Sequence, residues 1–151
     1  MLENLPPFRP RKDGLPRKTR PRLLLIDDEL AVARYIGHAA EECGYEAVIT
    51  VTSESFRSQY RAAAPDVVAL DLALPRSDGV ELLRFLAEES CTARVILISG
   101  FDGRVVDAAM RLGIAMGLDM AEPLTKPVRL HDLMEAIARP REGADAACLH
   151  R

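Results

Sequence analysis

The stretch Leu23-Leu24-Leu25-Ile26-Asp27-Asp28 decides the fold. Four consecutive apolar residues without polar alternation read as a short strand buried on both faces, the burial that a parallel sheet imposes. The run stops in two acids, so its carboxyl end meets a polar environment. Working outward, the same pattern recurs. Val67-Val68-Ala69-Leu70 runs into Asp71, and Val95-Ile96-Leu97-Ile98 runs into Ser99-Gly100. Residues 47–51 form a second strand, and a weak fifth spans residues 118–124.

Helical patterns fill the intervals. Val32, Ile36, Ala39 and Cys43 share one face and stop at Gly44, whose missing Cβ suits the left-handed position after a helix. Ser53 is expected to cap a helix carrying Phe56, Tyr60 and Ala63, which Pro65 ends. Pro75, Asp78 and Gly79 are turn formers ahead of a third helix. Asp102 is expected to cap a fourth, whose inner face carries Val105, Ala109, Leu112 and Met116, and Gly117 closes it. Leu130, Leu133, Met134 and Ile137 line one side of the last. Five strand–helix units in alternation predict an α/β domain: a five-stranded parallel sheet, doubly wound, with right-handed crossovers and helices on both faces.

Composition narrows the class. The chain has 151 residues, 48% hydrophobic and 28% charged, with net charge −3, which suits one compact domain. No apolar run approaches the roughly 18 residues of a membrane span, and no basic-then-apolar leader opens the sequence, so a cytoplasmic protein is expected. Cys43, Cys91 and Cys148 are scattered and odd in number, against a disulfide framework or a CxxC metal site. His38, His131 and His150 have no partner at metal-ligand spacing and read as surface or packing residues. With no Trp and 5% aromatics, there is no stacking platform for nucleic acid, and none is expected as a partner. The charge is uneven. Residues 1–21 carry six Lys/Arg against two acids and half of the ten prolines, while residues 22–151 carry fourteen Lys/Arg against twenty-one acids. The expected organisation is a disordered basic arm at 1–21, a folded domain at 22–139 and a flexible tail at 140–151.

In open parallel sheets ligands bind beyond the carboxyl ends of the strands. Asp27 and Asp28, Asp71, Ser99 and Lys126 all arrive at that edge. Three converging carboxylates repel unless a hard cation neutralises them, and oxygen ligands from one or two carboxylates suit Mg2+. A hydroxyl and an ammonium suit the oxygens of a transferring phosphoryl group, and an aspartate can serve as the nucleophile. As separate features, Asp27 and Asp28 could merely cap a helix and Asp71 could be a turn residue. Five such groups at one edge argue against coincidence. No GxGxxG, GxxxxGK[ST] or GxSxG motif is present, and Ala73 stands where a haloacid-dehalogenase-type phosphatase needs a second acid.

The segments LLLIDDE (23–29), VVALDLALPRSDG (67–79), VILISG (95–100) and LTKP (124–127), in this order, resemble the receiver domain of two-component response regulators. The resemblance implies a CheY-like, flavodoxin-like sheet in the order 2-1-3-4-5. It implies that Asp71 is the phospho-acceptor, and that Asp28 binds Mg2+ directly and Asp27 largely through water. It implies that the backbone carbonyl of Ala73 completes the coordination, that Ser99 reaches the phosphoryl group, and that Lys126 pairs with Asp71. It also implies a cis Lys126-Pro127 bond. The expected partners are a sensor histidine kinase or histidine phosphotransfer protein and a downstream protein, or a second copy of the chain. The chain would catalyse only its own phosphorylation and dephosphorylation.

Two departures stand out. Receivers carry Tyr or Phe three residues before the lysine, where this chain has Pro123, and Phe101 is the nearest aromatic that could substitute. The long interval from Ser99 to Lys126 is similar to receivers attached to cyclic-di-GMP phosphodiesterases. The alternatives are therefore a receiver-like scaffold that signals without phosphate, and the regulatory fragment of a longer phosphodiesterase.

Overall fold

The computed structural model describes residues 20–74, 79–100 and 103–138. The expected arm up to residue 19, the expected tail, and Pro75, Asp78, Phe101 and Asp102 lie outside the described residues, whereas Pro21, at the end of the expected arm, is tied to the fold, its carbonyl accepting from Glu46 N at 2.8 Å. The elements follow in the order β1 (Arg22–Ile26), α1 (Leu30–Glu42), β2 (Glu46–Thr50), α2 (Ser53–Ala63), β3 (Val67–Asp71), α3 (Gly79–Glu88), β4 (Arg94–Ser99), α4 (Gly103–Ala115), β5 (Asp119–Met120), β6 (Leu124–Thr125) and α5 (Leu130–Ala138). The pairing is parallel and the path runs β2-β1-β3-β4-β5, with β6 also on β4. The doubly wound α/β sheet read from the sequence is what the chain forms.

β1, β3 and β4 are buried at every position, as their unbroken apolar runs require. Alternate side chains feed two cores. Leu24, Val68, Leu70, Val95 and Leu97 join Phe56, Leu82, Leu83 and Leu86 on one face. Leu23, Leu25, Ala69, Ile96 and Ile98 join Ile36, Leu133 and Ile137 on the other. At the amino edge Arg22 is held by Glu46 at 2.9 Å and donates to the Ala63 carbonyl at 3.0 Å, so this buried cation is paired.

Three local expectations are corrected. The N-cap of α2 is Thr52, whose side chain accepts from Ser55 N at 3.1 Å, and Ser53 is the first helical residue. The inner face of α4 is rotated: Val105 is 45% exposed and Leu112 half-buried, while Ala109 and Gly113 are buried. The cause is a close approach, since a Cβ on Gly113 would lie 2.5 Å from Met120 Sδ, and this contact centres the helix on 109 and 113. Leu130, at the start of α5, is exposed rather than part of its inner side.

The fifth strand is also broken. Val95 faces Met120 and Ile98 faces Leu124, so β4 advances three residues where its neighbour advances four, a one-residue bulge. Pro123 lies within it and has no N–H for the ladder. Ala121 N donates to Val95 O before the bulge at 2.8 Å, and Lys126 N donates to Ser99 O after it at 3.0 Å.

Candidate functional site

β1 and β3 are neighbours whose crossovers leave in opposite directions, so the crevice beyond their carboxyl ends is the topological switch point. Asp27 follows β1 and Asp71 ends β3; both are buried, while Asp28 is exposed. Carboxylate oxygens of all three lie within 4.8 Å of one another.

Each buried carboxylate is aimed by backbone. Asp27 Oδ1 accepts from Glu29 N at 2.9 Å, and Asp27 N donates to Thr50 O at 3.2 Å. Asp71 Oδ1 accepts from Ala73 N at 3.0 Å, and Leu72 N donates to Ile98 O at 3.0 Å, so the turn after β3 is tied to β4. The remaining oxygens converge on one ammonium. Lys126 Nζ lies 3.1 Å from Asp27 Oδ2 and 3.4 Å from Asp71 Oδ2.

Burial raises the Asp71 carboxyl above its usual range; the Ala73 amide opposes this, Asp27 adds to it and Lys126 opposes it. For Lys126, burial opposes the charge, yet Asp27 and Asp71 together hold the ammonium above its ordinary value. The cluster sets two buried carboxylates against one ammonium.

A divalent cation fits this donor set. Asp27 Oδ2 is buried, and although Nζ is within ion-pairing distance, it receives no aligned hydrogen bond, so a lone pair remains for a hard cation. Asp28 adds a third oxygen donor from the solvent side. His131, Asp132 and Glu135 also come together, but fully exposed on one turn of α5, as surface residues do.

The structure therefore brings together Asp27, Asp28, Asp71 and Lys126. Ser99 is buried at the end of β4, one residue beyond the Ile98 that faces Asp71. Ala73 sits in the turn after Asp71. The Lys126-Pro127 bond is cis. Two contributors escaped the sequence reading: Thr50, whose carbonyl fixes Asp27, and Tyr35, whose hydroxyl donates to Val128 O at 3.0 Å beside Lys126. Backbone acceptors and a half-exposed helical tyrosine leave no signature in a sequence.

The fold and site define a class, an open α/β sheet with an acid–lysine cluster at its switch point. Residues 23–138 match the response regulator receiver domain, and the chain belongs to that family. It is 30% identical over 124 residues to the transcriptional regulatory protein TrcR of Mycobacterium tuberculosis, covering 82% of this chain and 45% of TrcR. It is 30% identical over 121 residues to the chemotaxis protein CheY of Treponema pallidum, covering 78% of this chain and 80% of that one. A response regulator structure from Colwellia psychrerythraea superimposes with a TM-score of 0.68 at 26% identity, covering 79% of this chain and 94% of the other. The chain spans about half the length of the transcriptional regulators it matches, 45% of TrcR and 50% of the Bacillus subtilis PhoP. Among the described residues no helix is long and apolar enough to cross a membrane.

Proposed function

We propose that this domain accepts a phosphoryl group on Asp71 from a phosphohistidine of a sensor kinase or phosphotransfer protein, and that the modified site alters binding of a downstream protein or a second copy. The observation that carries the reading is the paired clamp of Lys126 on Asp27 and Asp71 at the switch point. In the transfer the phosphorus–nitrogen bond of the donor breaks, a phosphorus–oxygen bond to an Asp71 carboxylate oxygen forms, and the imidazole leaves with a proton. The chain's own contribution is placement and charge. Ala73 N holds Asp71 Oδ1, which fixes the plane of the nucleophile. Lys126 stands where negative charge would be transferred, and Ser99 at the end of β4 is the hydroxyl that would donate to a phosphoryl oxygen.

Asp27, Asp28 and the Ala73 carbonyl, with Asp71, would hold Mg2+, which when bound neutralises carboxylate and phosphoryl charge. Because the only covalent change is on its own Asp71, the domain acts as a switch. Its setting is cytoplasmic in this reading, where the kinase's phosphohistidine is presented.

Incubation with acetyl phosphate and Mg2+ followed by intact mass tests the reading. One added phosphoryl group is expected, absent in Asp71→Asn. An unmodified parent, or an equally modified variant, overturns it. The bulge at Pro123 favours one alternative, a receiver fold that binds its partner without phosphate. Equal partner affinity with and without beryllofluoride would support that alternative.

A further inference from the structure

Lys126 lies on the connection between β6 and α5, and the ends of that connection are tied to different parts of the fold. On its amino side Lys126 N donates to Ser99 O at 3.0 Å. On its carboxyl side the ties come from α1 and the turn after it. Tyr35 Oη donates to Val128 O at 3.0 Å, ninety-three residues away in sequence, and Tyr45 Oη donates to Ile137 O at 3.1 Å at the far end of α5. Pro127, between Lys126 and Val128, has no N–H with which to tie the connection down, and the Tyr35 hydroxyl anchors it instead at the neighbouring Val128 carbonyl. Tyr35, Lys126, Pro127 and Val128 line one groove of about 550 Å3 between α1 and the connection. The long Lys126 side chain crosses from there to both carboxylates.

We infer that Tyr35 is a positioning residue for Lys126: its hydroxyl, through Val128 O, holds the connection in the place from which Nζ reaches Asp27 and Asp71. Tyr45 makes the same kind of bond at the opposite end of α5 and secures the helix without acting on the lysine. The inference rests on the proposed role of Asp71 for its consequence in phosphoryl transfer, but the placement of Lys126 can be measured without it.

The chain has only three lysines, Lys12, Lys18 and Lys126, so acylation of Lys126 can be followed by peptide mass spectrometry with Lys18 as the internal reference. With the full chain under native conditions, Tyr35→Phe is expected to raise the Lys126 rate relative to Lys18 about threefold to tenfold, the range that losing one neutral hydrogen bond spans. Tyr45→Phe is expected to leave that ratio unchanged. Uptake from acetyl phosphate should slow by a similar factor in Tyr35→Phe, and that difference should vanish in a Lys126→Met background. Unchanged Lys126 acylation in Tyr35→Phe overturns the inference, as does an equal rise in Tyr45→Phe, or a slowing that persists without Lys126. If the parent itself takes no phosphoryl group, the reading of Asp71 fails while the acylation ratio still decides the role of Tyr35.

Discussion

Lys126→Met removes one cation from between two buried anions while keeping an unbranched side chain of similar length. At an effective dielectric of about 20, contacts of 3.1 and 3.4 Å are each worth about 5 kcal/mol of gross Coulomb attraction. Most of that is offset by desolvation, and breaking a buried pair by deleting one partner typically costs about 3–5 kcal/mol. The Lys126 side chain is 22% exposed, so water screens part of the change and about 2–4 kcal/mol is expected. Urea unfolding in EDTA reads this as a lower midpoint at unchanged slope. Mg2+ should then restore more stability to the variant than it adds to the parent, because no ammonium competes for the carboxylates. A cation at a hundredfold excess over its dissociation constant adds about 2.7 kcal/mol. The sign with pH follows from the raised pKa of Lys126: its contribution is fully present below the ordinary value of 10.5 and fades as pH rises through the higher folded value. The gap between parent and variant should therefore close only in strongly alkaline solution. A loss below about 0.5 kcal/mol in EDTA, or an equal Mg2+ gain in both proteins, would refute the clamp.

Three further outcomes are expected. Asp71→Asn should raise the metal-free unfolding midpoint, because the charged form of Asp71 is disfavoured in the fold, and should shrink the Mg2+ gain; calorimetry with and without EDTA checks both. Gly79→Ala should destabilise by about 1–3 kcal/mol and slow phosphoryl uptake, since the new Cβ would lie 3.0 Å from Leu72 Cα and 3.2 Å from Asp71 O, backbone that cannot step aside. Thr52→Ala should cost about 1 kcal/mol in denaturant unfolding through loss of the α2 cap.

The sheet was legible because its evidence is local. Runs such as 23–26, 67–70 and 95–98 declare burial on both faces without reference to anything else, and the alternation with helical spacing leaves one architecture open. The acids that end those runs were legible as a site for the same reason. In a parallel sheet every strand's carboxyl end lies on one edge, so strand position alone brings Asp27, Asp71 and Ser99 together.

What the tertiary structure decided is where groups from distant elements meet. Local spacing placed Val105 inward, but the missing Cβ at Gly113 lets α4 settle against Met120 and turns Val105 to solvent. It suggested one weak fifth strand, whereas pairing to β4 breaks it with a one-residue bulge around Pro123. The family resemblance implied that Lys126 pairs with Asp71; only the packed structure shows its ammonium shared with Asp27 as well. Tyr35 gave no sign at all. Periodicity is a property of neighbours in the chain and can be read there. An ion pair or an anchoring hydroxyl depends on register and helix rotation, which are set when the whole core closes.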